Sequence, residues 1–486
     1  MTKYFLAVAS LSPLAGCTDP TVIGGGLLGA EGLPLTFTDT LPVGFATVPL
    51  DTASAGDIQF AGNGNAGAAA SFGCLDDPAF GTTTSRVGFE LVVVEDRDSL
   101  VGLLTRSVDS AVLVIPLATA YQVGDTTAAT SVRVVGAAPG TVDRDEVLTS
   151  DPLDGTGVAF GAATAVPARD SSDVTIYSRR GERDTARFAP TLRIPLDVAA
   201  FTEAALAPAR AELAAWGGDE GGDDPISDTA FTAAFGGLIL EPDPDAPCAS
   251  TLPAIDLRET RLPELGVTVY ANLGEGRVGQ YRLAVRRGST TREGALRPTY
   301  AHAYGASPAG RALGHDDGLD GGRAFAQGLD GLMVAVALPD PAAGASGPVA
   351  VNYAALEVPV LRDGFAEPLD LLLPQRRNAV GDLEDIPGGG GDGGGFIPLI
   401  EGGAIGRVGP YGGSADSVEV YRINLTTYVQ GIAAGEFDPE VFLVPSRRSA
   451  LGFGSPSYVA GRTILAVGPE DGRPGPRLLL ATTELP

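Results

Sequence analysis

The chain has 486 residues, of which 44% are hydrophobic and 19% are charged, and its formal net charge at pH 7 is −27. This length predicts two or three domains, and the composition excludes a wholly disordered chain. The negative charge disfavours nucleic acid and anionic headgroups as partners, because their phosphates would repel it. Lys3 is the only lysine, so the rest of the chain lacks the lysine of a Walker A loop, a Schiff base or a Ser/Lys dyad.

The first residues have the pattern of a bacterial lipoprotein signal. Lys3 precedes an apolar run over residues 4–14, and small residues lead to Cys17. We therefore predict that residues 1–16 are a signal peptide, that Cys17 carries fatty acids such as palmitate, and that 17–33 form a lipidated tether. The alternative is an ordinary signal peptide in which Cys17 is incidental. No later apolar run approaches the roughly 20 residues of a membrane helix, so lipid is the expected anchor.

Residues 24–29 formally match the G-x-G-x-x-G pattern of dinucleotide-binding proteins. They lie in the predicted tether and follow no strand of a βαβ unit, so we expect no cofactor there.

Short segments rich in Val, Ile and Leu, separated by Gly, Pro and Asp, predict β-strands along most of the chain. They cover residues 87–94, 111–117, 131–135, 192–196, 332–338, 355–360, 418–425 and 478–481. This spacing is typical of antiparallel sandwiches and jelly rolls. The clearest helix is predicted over 198–216, with Pro208 breaking or kinking it and an acidic loop following it.

Cys74 and Cys248 are the two cysteines beyond Cys17. In the oxidising compartment that an exported protein enters, they are compatible with one disulfide. Two separate buried thiols are the alternative, because sequence does not supply the geometry.

Tyr300, His302 and Tyr304 recur at every second residue. An extended strand would place all three rings on one face and the intervening alanines on the other. Such a row is a candidate binding surface for sugar rings or for a partner protein. The alternative is that the rings pack beneath a loop, and Trp216 is likewise expected to be a packing anchor.

The sequence contains few patterns that are typical of metal or cofactor binding. Asp316, Asp317 and Asp320 are compatible with a bound calcium ion, but they lack the spacing of a calcium-binding loop, and a solvated turn is the alternative. His302 and His315 are the only histidines, and no zinc-ligand spacing accompanies them. We predict no metal, no cofactor and no catalytic residue.

An internal repeat divides the chain. The pattern V-x-x-A-x-L-x-[IV]-P occurs at residues 108–116 and again at 351–359. Three further landmarks occur in the same order in both halves: Ala79-Phe80 with Ala324-Phe325, 192–196 with 421–425, and 267–285 with 463–485. One sandwich unit used twice accounts for this order, with chance similarity of β-rich sequence as the alternative.

The predicted fold class is therefore all-β, with two jelly-roll-like antiparallel β-sandwich modules and a short helical insertion in the first. The first module is predicted over residues 34–290 and the second over 291–486. Residues 388–395 are glycine-rich and should form a flexible loop in the second module.

Several segments resemble an uncharacterised outer-membrane lipoprotein family of the Bacteroidota type, catalogued as domain-of-unknown-function family four-two-seven-zero. They are residues 17–20, 35–40, 77–83, 108–116, 122–125, 315–317 and 327–331. The resemblance implies a location and a fold, and it supplies no catalytic residues. The chain departs from the family in its glycine-rich insertion and in the acidic loop after Trp216. Residues 422–436 are also similar to jelly-roll modules that accompany carbohydrate-active or adhesive domains.

These observations predict a lipid-anchored envelope protein of the cell outer membrane, on its periplasmic or its surface face. Its expected role is non-catalytic, either structural or in binding a protein partner. A glycan-binding lipoprotein that uses a sandwich face is the alternative, and a glycoside-active enzyme with a hidden carboxylate pair is a more distant one.

Overall fold

A computed structural model gives the fold of most of the chain. It describes residues 35–38, 41–50, 69–93, 97–142, 150–167, 169–178, 180–208, 210, 235–258, 261, 264–285, 296–386, 402–408, 418–446, 448–449, 452–453, 460–468 and 475–485. Strands make up 54% of the structure and helix 11%. The predicted all-β class is confirmed.

The first eighteen strands precede residue 290. They are β1 (Leu35–Thr38), β2 (Gly44–Pro49), β3 (Ala69–Ser71), β4 (Gly73–Asp77), β5 (Gly81–Phe89), β6 (Val92–Val93), β7 (Val108–Pro116), β8 (Val123–Gly124), β9 (Thr130–Ala137), β10 (Gly155–Ala165), β11 (Ser172–Tyr177), β12 (Arg183–Phe188), β13 (Thr191–Leu196), β14 (Leu238–Pro242), β15 (Thr251–Leu252), β16 (Ala254–Asp256), β17 (Gly266–Gly274) and β18 (Arg277–Ala284).

The remaining strands follow residue 290. They are β19 (Leu296–Ala303), β20 (Arg323–Gln327), β21 (Leu332–Ala337), β22 (Val349–Leu361), β23 (Leu371–Arg377), β24 (Leu383–Asp385), β25 (Gly402–Val408), β26 (Val418–Asn424), β27 (Glu440–Ser446), β28 (Arg448–Ser449), β29 (Gly452–Phe453), β30 (Arg462–Ala466) and β31 (Arg477–Glu484).

Short helices connect some of the strands. They are α1 (Arg97–Leu104), α2 (Val198–Phe201), α3 (Pro308–Gly314) and α4 (Thr426–Ala433). The Asp197 side chain accepts a hydrogen bond from the Ala200 backbone N–H and so caps α2, which continues as a π-helical turn over Thr202–Leu206. This is the start of the helix predicted over 198–216, and residues 211–234 lie outside the described part.

Two antiparallel sheets face each other around the first core. One has the order β10-β9-β14-β5-β19, with β4 also on β5, and the other has the order β13-β7-β17-β18-β6. In β13, Leu192, Ile194 and Leu196 point inward at every second residue, as a half-buried strand requires. They share one core with residues of the opposite sheet such as Val87 and Val134, so the two sheets form a sandwich.

The second large sheet has twelve strands. Its order is β1-β31-β22-β26-β25-β23-β27-β21-β20-β30, with β2 on β21 and β24 on β23. Strand β22 is long enough to pair with β31 and β26, while its last residues, Val360 and Leu361, pair with β30. Leu356, Ile423 and Leu443 contribute to its buried core.

The sheets do not divide at residue 290, the predicted module boundary. Strands β1 and β2 lie before residue 290, but they pair with β31 and β21 of the twelve-stranded sheet. Strand β19 lies after it and pairs with β5 of the first sandwich. Backbone pairing therefore crosses the predicted boundary in both directions and ties the two halves of the chain together.

The repeated strands occupy matching places in their sheets. Leu113 of β7 lies opposite Ile194 of β13, and Leu356 of β22 lies opposite Ile423 of β26. Because Leu113 and Leu356 are equivalent in the repeat, the register is the same in both halves. The opposite edges of β7 and β22 pair with β17 and β31, and a helix, α2 or α4, follows the partner strand in each half.

Candidate functional site

The candidate site lies where the first sandwich meets the twelve-stranded sheet, and we call this region the junction. Its apolar centre contains Phe80, which follows β4, and Phe325 of β20. Their rings meet edge to face with centroids 5.6 Å apart. Ala309 and Ala312 of α3 pack against the same cluster, so the junction has a dry core of its own.

The predicted aromatic row is part of this junction. Tyr300 is 6% exposed and packs with Leu329, while the rings of His302 and Tyr304 stack with centroids 5.7 Å apart. Ala301 and Ala303 face solvent, so the rings share one face as predicted. That face is turned towards protein, and we therefore do not propose the row as a sugar-binding platform.

A chain of hydrogen bonds runs from β20 through β5 to β19. The Gln327 amide Nε2 donates to the Thr83 hydroxyl at 3.0 Å, and Thr83 Oγ1 lies 3.1 Å from His302 Nδ1. His302 Nε2 lies 2.8 Å from the Leu329 carbonyl oxygen. A carbonyl can only accept, so Nε2 carries the ring proton, and in the neutral ring Nδ1 accepts from Thr83.

Burial keeps His302 neutral. It lowers the pKa of the ring, although the bond to the Leu329 carbonyl acts in the opposite direction. Burial also raises the pKa of the Tyr304 hydroxyl, which stays protonated. At neutral pH the cluster therefore holds an imidazole that can accept a proton and a phenol that can donate a hydrogen bond.

The loop that binds His302 is a tight turn between β20 and β21. Leu329 and Asp330 both have positive φ, 56° and 57°, which costs a side-chain-bearing residue about 1–2 kcal/mol. The Gly331 N–H closes the turn on the Gly328 carbonyl at 3.2 Å. Strain of this kind persists where surrounding contacts hold it, and here the His302 bond and the burial of Leu329 hold it.

Gly331 keeps open the space between two polar atoms of the junction. A Cβ atom at this position would lie 2.8 Å from Gln327 Oε1 and 3.0 Å from the Tyr304 hydroxyl. No described residue forms a hydrogen bond with either atom. Because both atoms lie close to the same Cβ position, the carboxamide oxygen and the phenol border the same small space.

A buried ion pair lies beside this cluster. Arg462 of β30 is 2.7 Å from Asp77 of β4, and the two side chains are 4% and 1% exposed. Asp77 also accepts the backbone N–H groups of Ala79 and Phe80, and Arg462 reaches Asp363 at 2.7 Å. Burial raises the pKa of Asp77, and Arg462 opposes that shift.

An open cleft of about 620 Å³ adjoins the junction. Residues 120–124 and Thr126 line one part of it, and Tyr121, Gln122 and Phe365 are among its lining residues. Arg362 on the rim binds Glu367 and Glu419. The cleft thus combines aromatic rings with hydrogen-bonding groups, a combination that suits polar organic ligands.

A disulfide joins Cys74 and Cys248, whose Cα atoms are 4.8 Å apart. It connects β4 to the segment before β15, 174 residues further along the chain. The structure therefore has the disulfide and not the two separate thiols that the sequence also allowed.

The aspartates considered for calcium have other partners. Asp320 binds Arg311 at 2.9 Å and Arg323 at 2.6 Å, and Asp317 accepts the Leu319 N–H. Within the described ranges, no three His, Cys, Asp or Glu side chains form a group that could hold a metal. Asp320 is thus engaged by two arginines.

Some predicted features lie outside the described residues: Cys17 with the signal and tether, the 24–29 glycine motif, Trp216 and the glycine-rich loop at 388–395. In the part of the chain that is described, no helix is long and apolar enough to span a membrane.

No family model matches the chain, and neither does any curated protein or solved structure.

Sequence reasoning missed Thr83, Gln327 and Arg462. Thr83 lies in a run of three threonines, and nothing in that run distinguishes the residue that faces inward. Its contact with Gln327 spans 244 positions, so no local pattern could have revealed it. The one available signal was the repeat, which places Phe80 and Phe325 at matching positions.

Proposed function

We propose that this protein is a lipid-anchored component of the bacterial outer membrane with a non-catalytic, structural or protein-binding role. The observation that carries the location is the Cys74–Cys248 disulfide. Disulfides persist in oxidising compartments outside the cytoplasm, which is where a lipoprotein signal ending at Cys17 would direct the chain.

A structural role is supported by the way the junction is built. Phe80 and Phe325 are both 0% exposed, and Asp77 and Arg462 add a buried ion pair between the same two sheets. Relative motion of two packed units is restricted where the interface between them is hydrophobic. A rigid body on a lipid tether suits a protein that presents a surface to envelope partners.

The location is tested by labelling cells with an alkyne analogue of palmitate and separating their membranes. Wild-type protein should carry the label and sediment with outer membranes after a salt wash. The Cys17→Ser variant should lose both properties, whereas Cys248→Ser should keep both. A Cys17→Ser protein that still sediments with the membranes would show that lipid is not the anchor.

Glycan binding is a second candidate function, and the cleft favours it. Tyr121 and Phe365 are aromatic residues of its lining. The Gln122 Nε2 donates to the Thr251 hydroxyl, and its carboxamide oxygen is an acceptor for a sugar hydroxyl. Titration of the purified protein with envelope oligosaccharides should then give saturable binding that Tyr121→Ala weakens at least tenfold. Equal binding by the wild type and Tyr121→Ala would remove the cleft from consideration.

A further inference from the structure

The Thr83–His302 pair has the arrangement of a nucleophile and its base. His302 is neutral and has its Nδ1 lone pair directed at the Thr83 hydroxyl, 3.1 Å away. The Leu329 carbonyl fixes the ring in this tautomer from the other side. A hydroxyl becomes nucleophilic when an adjacent base accepts its proton and a third group orients that base.

An electrophile lies next to this nucleophile. Gln327 Nε2 is 3.0 Å from Thr83 Oγ1, and the carboxamide carbon is one bond from Nε2. Rotation of the terminal amide leaves this carbon in place, so a small rotation about the Gln327 Cβ–Cγ bond is what brings the carbon within reach of Oγ1. Both residues are buried, at 1% and 5% exposure, so bulk water competes poorly with Thr83 for the carbonyl.

Tyr304 is placed to stabilise the negative charge that such an attack creates. Its hydroxyl and Gln327 Oε1 border the same space above Gly331, and stacking on His302 orients its ring. A phenol that donates a hydrogen bond to the developing oxyanion acts as an oxyanion-hole donor.

We propose that Thr83 and Gln327 form an intramolecular ester bond that links the first sandwich to the twelve-stranded sheet. Thr83 Oγ1 attacks the Gln327 side-chain carbonyl carbon, and the hydroxyl proton passes to His302 Nδ1. The tetrahedral intermediate collapses with cleavage of the carbon–Nε2 bond, and the same proton leaves with the amine as ammonia. The products are one ester and one ammonia, and no oxidant, metal or cofactor is consumed.

The bond would act as a covalent clamp between the halves of the chain. Thr83 lies in β5 and Gln327 in β20, close to the equivalent residues Phe80 and Phe325. The reaction occurs once per molecule, so it is consistent with a structural protein that turns over no external substrate. The proposal goes beyond the proposed function and does not depend on the lipid anchor.

The test is mass spectrometry of the full-length protein purified from whole cells, reduced and cut after arginine. This digestion places Thr83 in a fragment that ends at Arg86 and Gln327 in fragment 324–362. The wild type should give the two fragments joined, lighter than their sum by one ammonia, about 17 Da. Hydroxylamine, which cleaves esters, should separate them.

Thr82→Val is the matched control, because Thr82 is adjacent to Thr83 but points to the other face of β5. It should retain the link, and so should Thr83→Ser, which keeps the hydroxyl. Thr83→Val and Gln327→Ala should give separate fragments. Tyr304→Phe should slow the appearance of linked fragments after pulse-labelled synthesis by about 10²–10³-fold, the usual effect of losing an oxyanion donor. Separate fragments of full mass from the wild type, or a link that persists in Thr83→Val, would overturn the proposal.

Discussion

Phe80 and Phe325 hold matching positions in the two copies of the sequence repeat, and their rings meet edge to face at 5.6 Å. The landmark that identifies each copy is therefore also the contact between the copies. Such aromatic pairs contribute about 0.5–1.5 kcal/mol beyond the burial of their surface.

Replacing Phe325 should weaken the junction strongly. Phe325→Ala is expected to lower the free energy of unfolding by about 3–5 kcal/mol, because it leaves a cavity in a closely packed core. Urea denaturation followed by fluorescence measures this change. Phe37→Ala is the control, since Phe37 is 66% exposed, and it should change stability by less than about 0.5 kcal/mol. Similar values for the two variants would contradict the assigned burial.

We expect the effects of replacing Asp77 and Arg462 on the free energy of unfolding to be non-additive. Arg462→Met should lower stability by about 3–5 kcal/mol, because it leaves Asp77 charged and buried without its partner. The double variant Asp77→Asn/Arg462→Met should recover much of that loss, since it buries no charge. The exposed Arg362–Glu367 pair supplies the control, and Arg362→Met should cost at most about 1 kcal/mol. A double variant as unstable as the sum of its single changes would show that the pair is not coupled.

The sequence predicts the strands of this protein better than it predicts the contacts at the junction. Residues 108–116 and 351–359 are recognisable as strands because apolar side chains recur in a local pattern. The spacing of Tyr300, His302 and Tyr304 likewise predicts that they share a face. The direction of that face depends on Leu329 and on the pairing of β19 with β5. Those contacts join distant parts of the chain, and no local periodicity encodes them.

The pairing of β1 and β2 illustrates the same limit. Sequence order places these strands with the first sandwich, whereas they complete the twelve-stranded sheet. Leu35 lies opposite Thr483, at the far end of the chain, and the alternation of a short strand does not identify its partner.

His302 should make stability depend on pH. Its pKa is lower in the folded protein than the ordinary value, so the neutral ring contributes stability that is present above about pH 6.5. That contribution is lost as the pH falls through the lowered folded value, because the unfolded chain takes up the proton first. Unfolding free energies at pH 7.5 and pH 5 should therefore differ more for the wild type than for His302→Gln. The exposed His315→Gln variant should behave like the wild type, and equal pH dependence in all three would refute this role.

The disulfide should stabilise the first sandwich. Closing a loop of 174 residues corresponds to about 5 kcal/mol in the chain-entropy estimate. Cys74→Ser/Cys248→Ser should therefore unfold at lower urea, and reductant should lower the midpoint of the wild type but not of the double variant. A wild-type midpoint that reductant leaves unchanged would mean that the bond does not stabilise the fold.

The most direct test of the lipid-anchored envelope protein is the mass of its N-terminal peptide, isolated from native outer membranes. The account predicts that residues 1–16 are absent and that the peptide begins at Cys17 with fatty-acyl chains attached. A peptide that begins elsewhere, or an unmodified Cys17, would contradict the account.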